Sequence, residues 1–189
     1  LEKITRMIDL HKITMLKLNI TNANKASELS PALEQLNSVE VFDLLTNEVK
    51  TESPDVESIL KNFSCPQTLQ EFRYEANYSY NPGALFKEFF KKHRRIKTLY
   101  FDLGSSNLTN SELFEIQIEI NKLPDLTSYC LTSPRFINKE DDTTKLSPLL
   151  ESFSGMKSVE ELNLFKADCR ETWSSILKKY RLTYFLQKI

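Results

Sequence analysis

The 189-residue sequence predicts an α/β fold built from about six to seven strand–helix units of mean length ~28 residues, with a parallel sheet on the concave side and helices on the convex side. Three observations carry this prediction. An apolar-x-x-apolar-x-apolar template recurs along the chain, with middle positions at Leu16, Phe42, Phe72, Leu99, Tyr129, Leu162 and, more weakly, Phe185. Between copies the apolar period lengthens from 2 to about 3.6 residues, the change from strand to helix. Prolines behind small polar residues recur where helices should start. No single unit of this size can bury its own strand face and helix stripe, so neighbours must stack into a solenoid whose core runs along the axis.

Residues 1–12, with Leu1, Ile4 and Ile8 at helical spacing, are expected to cap the first strand or to end a preceding repeat. Residues 13–189 form the repeat domain, read as part of a longer chain because the sequence starts at Leu1 and stops at Ile189 without a polar cap. The strand copies begin with Ile13-x-x-Leu16-x-Leu18. Ser38-Val39-Glu40-Val41-Phe42-Asp43-Leu44 has a near duplicate in Ser158-Val159-Glu160-Glu161-Leu162-Asn163-Leu164. Between them lie Leu69-x-x-Phe72-x-Tyr74, Ile96-x-x-Leu99-x-Phe101 and Leu126-x-x-Tyr129-x-Leu131, and a seventh copy is placed at Leu182 and Phe185. The last two apolar residues of each copy are two apart, so they point the same way from an extended chain.

The intervening segments carry helical stripes. These are Leu29, Leu33 and Leu36; Val56, Leu60 and Phe63; Leu85, Phe86, Phe89 and Phe90; Leu146, Leu149, Leu150 and Phe153; and Trp173, Ile176, Leu177 and Tyr180. Ile116, Ile118 and Ile120 alternate like a strand, but the length of the 113–123 stretch and its place in the rhythm assign it to a helix. Ser30-Pro31, Ser53-Pro54, Asn81-Pro82 and Ser147-Pro148 each put a capping side chain before a proline at the first helical position, where its missing N–H costs nothing. Pro66 and Pro124 fall just before strands and end the preceding helices.

Composition excludes several functional classes. Twenty-five Lys+Arg against 26 Asp+Glu leave a net charge of −1, which gives no global field for nucleic acid or an anionic membrane. No apolar run spans a bilayer, and Glu2, Lys3, Arg6, Asp9 and Lys12 would break a signal-peptide core. Cys65, Cys130 and Cys169 are odd in number and far apart, which argues against a disulfide framework or a zinc knuckle and for a reducing, intracellular setting, cytoplasmic or nuclear. Four Asn-x-Ser/Thr triplets, at Asn19, Asn62, Asn77 and Asn107, are read as coincidence in a chain rich in these residues. Two histidines, His11 and His93, make no metal motif, and three glycines cannot build a phosphate loop. No catalytic residue, cofactor or metal is expected.

A strand of the form L-x-x-L-x-L followed by a helix, repeated at about 28 residues, resembles the leucine-rich repeat, most closely its ribonuclease-inhibitor-like subclass. The resemblance spans roughly residues 13–189. Asn47 and Asn77 stand where that family carries an Asn or Cys three residues past the last strand Leu, and Thr21 substitutes in part. Gly104, Pro134 and Ala167 depart from the pattern.

In that geometry the residues between the paired apolar positions project from the open face of the sheet. They are Lys17, Asp43, Arg73, Tyr100, Cys130 and Asn163, flanked by Met15, Val41, Glu71, Thr98, Ser128 and Glu161 on one side. Asn19, Leu45, Glu75, Asp102, Thr132 and Phe165 flank them on the other. Mixed charge with aromatic and arginine anchors suits protein recognition. The candidate protein-binding set is therefore Lys17, Asp43, Arg73, Glu75, Tyr100, Asp102, Cys130, Asn163 and Phe165. A second candidate is a basic edge at Lys91, Lys92, Arg94, Arg95 and Lys97, against which stands the dipole preference for solvated cations at helix C-termini. The acidic run Glu140, Asp141, Asp142 lacks calcium-loop spacing and reads as a solvated loop. His11 and His93 read as structural or solvent-facing, and Cys65 and Cys169 as ordinary loop or core cysteines. The expected function is a non-catalytic interaction module, a scaffold, adaptor or subunit of a larger assembly with a protein partner on the concave face. The resemblance leaves two alternatives open, the substrate-recognition repeats of an F-box-type ubiquitin ligase or a leucine-rich-repeat GTPase regulator.

Overall fold

Each of the six apolar templates among the described residues folds into one strand, and each strand lies beside the next. A computed structural model describes residues 9–21, 26–47, 54–76, 83–103, 110–132, 152, 156 and 161–165. The strands are β1 (Met15–Thr21), β2 (Val41–Asn47), β3 (Glu71–Ala76), β4 (Thr98–Asp102), β5 (Ser128–Thr132) and β6 (Glu161–Phe165). They form one parallel sheet in the order β1-β2-β3-β4-β5-β6. Among the described residues the connections hold the helices α1 (Ser30–Leu33), α2 (Pro54–Asn62), α3 (Gly83–Lys92) and α4 (Asn110–Ile120).

The register aligns the templates residue for residue. Leu16, Phe42, Phe72, Leu99, Tyr129 and Leu162 are successive Cα partners, the column read from the sequence. Side chains alternate across the sheet, so Phe72, Tyr74 and Ala76 are buried while Arg73 between them is exposed. The buried column faces the helices. Phe42 stacks on Phe63 just past α2, Phe72 lies against Phe89 of α3, and Tyr74 and Phe101 meet Phe86 edge-on. Each fully buried aromatic contributes about 2–3 kcal/mol relative to exposure, and one continuous core runs from Ile20 to Leu131.

Residues 113–120 of the 113–123 stretch belong to the helix α4, which ends at Ile120 ahead of a turn, and its geometry resolves the alternating isoleucines. Ile116 and Ile120, one turn apart, are fully buried, whereas Ile118 is turned out and 37% exposed. A strand would have put all three on one face.

The first helix start differs from the sequence expectation. Ser30 was expected to cap the helix ahead of Pro31, but the chain is already helical at Leu29 after a 3-10 turn at Ala26–Leu29. Ser30 is therefore the first residue of α1 and makes no cap; its hydroxyl instead meets that of Ser58 at 2.7 Å. Pro54 does open α2 as expected. Ser53, Asn81, Pro82, Ser147 and Pro148 lie outside the described residues, as do the stripe from Trp173 to Tyr180, the seventh copy at Leu182 and Phe185, and residues 1–8.

Side chains also stitch the units together at the repeat spacing. Thr68 Oγ1 donates to the Val39 carbonyl at 2.8 Å, Cys65 Sγ to the Leu36 carbonyl at 3.3 Å and Thr127 Oγ1 to the Lys97 carbonyl at 3.3 Å. Backbone bonds repeat the pattern before each strand: Gln70 N–H to Glu40 O at 2.8 Å, Lys97 N–H to Gln70 O at 2.7 Å and Thr127 N–H to Lys97 O at 2.9 Å. Among the described residues no helix is long and apolar enough to cross a membrane.

Candidate functional site: the open face of the sheet

Because the helices pack on one face, the other carries the odd-numbered row of β1 and its partners. Lys17, Asp43, Arg73, Tyr100, Cys130 and Asn163 are consecutive register partners from β1 to β6. The flanking rows align equally well, with Leu45 opposite Glu75 and Glu75 opposite Asp102. Asn163 and Phe165 are placed by their backbone register alone.

The row is not uniformly exposed. Asp43 is only 8% exposed, because its neighbours on both strands lean over it. Arg73 Nε lies 3.7 Å from Asp43 Oδ1, and Lys17 Nζ lies 4.0 Å from Oδ2. Neither distance is a hydrogen bond, and Oδ1 has no hydrogen-bond partner. Arg73 gives its guanidinium hydrogen bonds to Glu71, two residues back on the same face. That bond, with the Glu71 and Asp43 charges, pushes the Arg73 pKa above its usual value. Glu71 was placed on a flanking row, and its signal was the same-face i, i+2 spacing on a strand.

Tyr100 is half-buried. Burial pushes its phenol up, opposed by a Thr132 hydrogen bond and reinforced by Asp102, Cys130 and Glu75. Cys130 Sγ lies 3.6 Å from the Thr132 hydroxyl, so Thr132 is on the same open face, where it is nearly buried. Lys17, Asp43, Leu44, Leu45, Arg73, Glu75 and Tyr100 line a shallow hollow of about 210 Å³. The structure thus brings five of the predicted residues, Lys17, Asp43, Arg73, Glu75 and Tyr100, into one depression, with Asp102 beside Glu75 and Cys130 beside Tyr100.

Lys91, Lys92, Arg95 and Lys97 of the basic run are exposed and Arg94 is half-buried, and each also holds an acceptor nearby. Lys92 Nζ donates to the Phe63 carbonyl at 3.1 Å, Arg95 to the Gln67 carbonyl at 3.1 Å and Lys97 to Gln70 Oε1 at 2.9 Å. Each of these reaches back one unit. Arg94 reaches forward to Glu119 Oε2 at 3.4 Å, and Lys91 pairs with Glu88 on its own helix. Burial alone would raise the Glu119 carboxyl, but Lys122, Arg94 and Lys91 outweigh it and hold it below the usual range. His93, in the middle of the run, is fully buried. Among the described residues no group of His, Cys, Asp and Glu is arranged to hold a metal ion.

No protein-family profile matches this sequence, and no characterised protein matches it by sequence. Two solved structures are similar in outline. One is the tropomodulin C-terminal domain of Caenorhabditis elegans, with a TM-score of 0.47 and 10% identity over 95% of this chain and 90% of that one. The other is leiomodin-1 actin-binding site 2, with a TM-score of 0.42 and 14% identity over 95% of this chain and 86% of that one. Scores this low assign neither fold nor function, so the architecture rests on the register and core described above.

Proposed function

We propose that the chain is a leucine-rich-repeat solenoid of about six to seven units acting as a non-catalytic interaction module inside the cell, as a scaffold, adaptor or assembly subunit. Its concave sheet face holds a protein partner. The observation that carries this reading is the single register row Lys17, Asp43, Arg73, Tyr100 and Cys130 on the face opposite the helices. A rigid sheet pre-orders these side chains, so binding forfeits little conformational entropy. Arg73 and Tyr100 are the anchors, the residue types that dominate binding energy at such surfaces.

The test is affinity capture from native lysate with wild type and an Arg73→Glu/Tyr100→Ala variant. Asp43 is left intact because it is nearly buried, and circular dichroism checks the variant's fold. A protein retained by wild type and lost from the folded variant supports the concave face. Retention by both moves the interface to the helices or the chain ends.

A further inference from the structure

We propose that Arg73 is an anchor with two seats, held by Glu71 in the unbound chain and passing to Asp43 when a partner takes Glu71. This rests on the reading of the open face as the binding surface and adds how that face responds when it is engaged.

The geometry sets up a competition for one hydrogen. Asp43 stands between Lys17 and Arg73 in the register and is only 8% exposed. A carboxylate so covered ordinarily collects hydrogen bonds, because leaving it without them forfeits its hydration. Its Oδ1 is buried and accepts none. Arg73 Nε lies 3.7 Å from that oxygen, about 1 Å beyond hydrogen-bond length. Nε carries a single hydrogen, and it is given to Glu71 Oε1, with Nη2 beside the same oxygen. One N–H cannot serve both carboxylates. Lys17 does not fill the gap, since its Nζ is 4.0 Å from the other oxygen, Oδ2.

Both seats are within reach of the same backbone position. Asp43 is the direct register partner of Arg73 on β2, across a strand spacing of roughly 5 Å. Glu71 is two residues back on β3, roughly 6.6 Å along the strand. The Arg73 side chain is 56% exposed, so its guanidinium can swing between them while the sheet stays fixed. The two seats differ in access. Glu71 is half-buried at the flank, where a donor from a partner meets it, whereas Asp43 is covered by its neighbours.

That difference gives the exchange its direction. A partner donor on Glu71 takes the acceptor from Arg73, and Arg73 then completes the hydrogen bonding of Asp43. No donor is left stranded, and the buried oxygen gains the bond it lacks. Asp43 and Arg73 both line the hollow beside Tyr100, so the same step redraws the surface that the partner meets. Asp43 is thus a positioning residue for the anchor, acting through Arg73 rather than by touching the partner.

The test uses Glu71→Met in the isotopically labelled full chain as a stand-in for a Glu71 already taken. NMR follows the Arg73 Nε–Hε group, identified by its loss in Arg73→Lys, with circular dichroism to check each fold. In wild type, Nε should show a coupling across the hydrogen bond to the Glu71 carboxylate carbon. In Glu71→Met the coupling should move to the Asp43 carboxylate carbon, and Hε should stay protected from exchange with water. Adding Asp43→Asn to Glu71→Met should speed that exchange about tenfold, whereas Asp43→Asn alone should leave it unchanged. Where Asp43→Asn does not fold, the coupling in Glu71→Met decides by itself. An unprotected Hε in Glu71→Met, or a coupling to Asp43 already present in wild type, overturns the proposal. The protein that capture returns separates this failure from that of the parent reading. If Arg73→Glu/Tyr100→Ala loses that protein, but its addition to wild type leaves Nε coupled to Glu71, the exchange is wrong and the concave face stands. If the variant keeps it, both readings fall.

Discussion

The backbone N–H of Cys65 donates to Nε2 of His93 at 3.2 Å, and the two residues stand one repeat apart. Nε2 must therefore be unprotonated, and Nδ1 carries the proton that it gives to the Phe89 carbonyl at 3.0 Å. The ring packs between Phe63 and Phe89, with centroids 5.5 and 4.3 Å away. Burial, with the neighbouring Lys92 charge, lowers the His93 pKa to about 4 against the pull of the Phe89 carbonyl.

This neutral histidine makes stability pH-dependent with a definite sign. The unfolded ring takes up its proton near pH 6.5 and the folded one near pH 4. Stability from this group is therefore complete above pH 6.5 and declines as pH falls toward 4, by about 3 kcal/mol in all. His93→Gln keeps an acceptor for Cys65 but cannot titrate. Urea unfolding of that variant should show a flatter pH dependence between 6.5 and 4 than wild type, and an unchanged slope would refute the assignment.

A second buried polar chain joins β5 to α4. Tyr129 donates its hydroxyl to Gln117 Oε1 at 3.1 Å, and Gln117 Nε2 donates to Asn121 Oδ1 at 2.8 Å. Asn121 in turn reaches the Ser152 carbonyl at 2.7 Å. Tyr129→Phe leaves the Gln117 acceptor unpaired in the core and should cost about 1–3 kcal/mol in chemical denaturation. Tyr129→Phe combined with Gln117→Met should cost less than the sum of the two single changes.

Phe72 is the hub of the aromatic core, touching Phe42, Phe86, Phe89 and Phe90. Phe72→Ala should lower stability by about 3–5 kcal/mol, because four rings cannot close over the cavity. The same change at Ile118, which is exposed, should stay within about 0.5 kcal/mol. Thermal unfolding of the two variants compares them directly.

The basic run makes a prediction about salt. Lys92, Arg95 and Lys97 hold neutral acceptors one unit back, whereas Arg94 holds the Glu119 carboxylate. Replacing the first three by Ala together should cost about 1–2 kcal/mol, with little dependence on ionic strength. The cost of Arg94→Ala should shrink as salt screens the ion pair. Urea midpoints at low and high salt decide this.

Much of the architecture was legible in the residues themselves. The middle positions of the template, Leu16 to Leu162, are the Cα partners of the sheet, because a two-residue side-chain period leaves one register that buries every apolar column. The open row from Lys17 to Cys130 followed from the same parity. Local pattern failed where backbone geometry outside the motif intervened, as at Ser30, whose cap was pre-empted by the 3-10 turn before it. Roles set by a neighbour one unit away were hidden as well. Nothing in the run from Lys91 to Lys97 shows that its cations reach across to Phe63, Gln67 and Gln70, or that His93 turns inward to Cys65.

Hydrophobic periodicity by itself thus determined which residues become strands, which face is buried and which row is left open, since burial of apolar side chains dominates folding and acts through spacing alone. Only the tertiary structure decided what the polar residues do. Whether Asp43 is exposed or covered, whether a lysine faces solvent or a carbonyl, and whether Glu75 meets Asp102 depend on which chain segments stack side by side. Electrostatics and hydrogen bonds act over a few ångströms in space, and partners some thirty residues apart come within that range only once the units have packed.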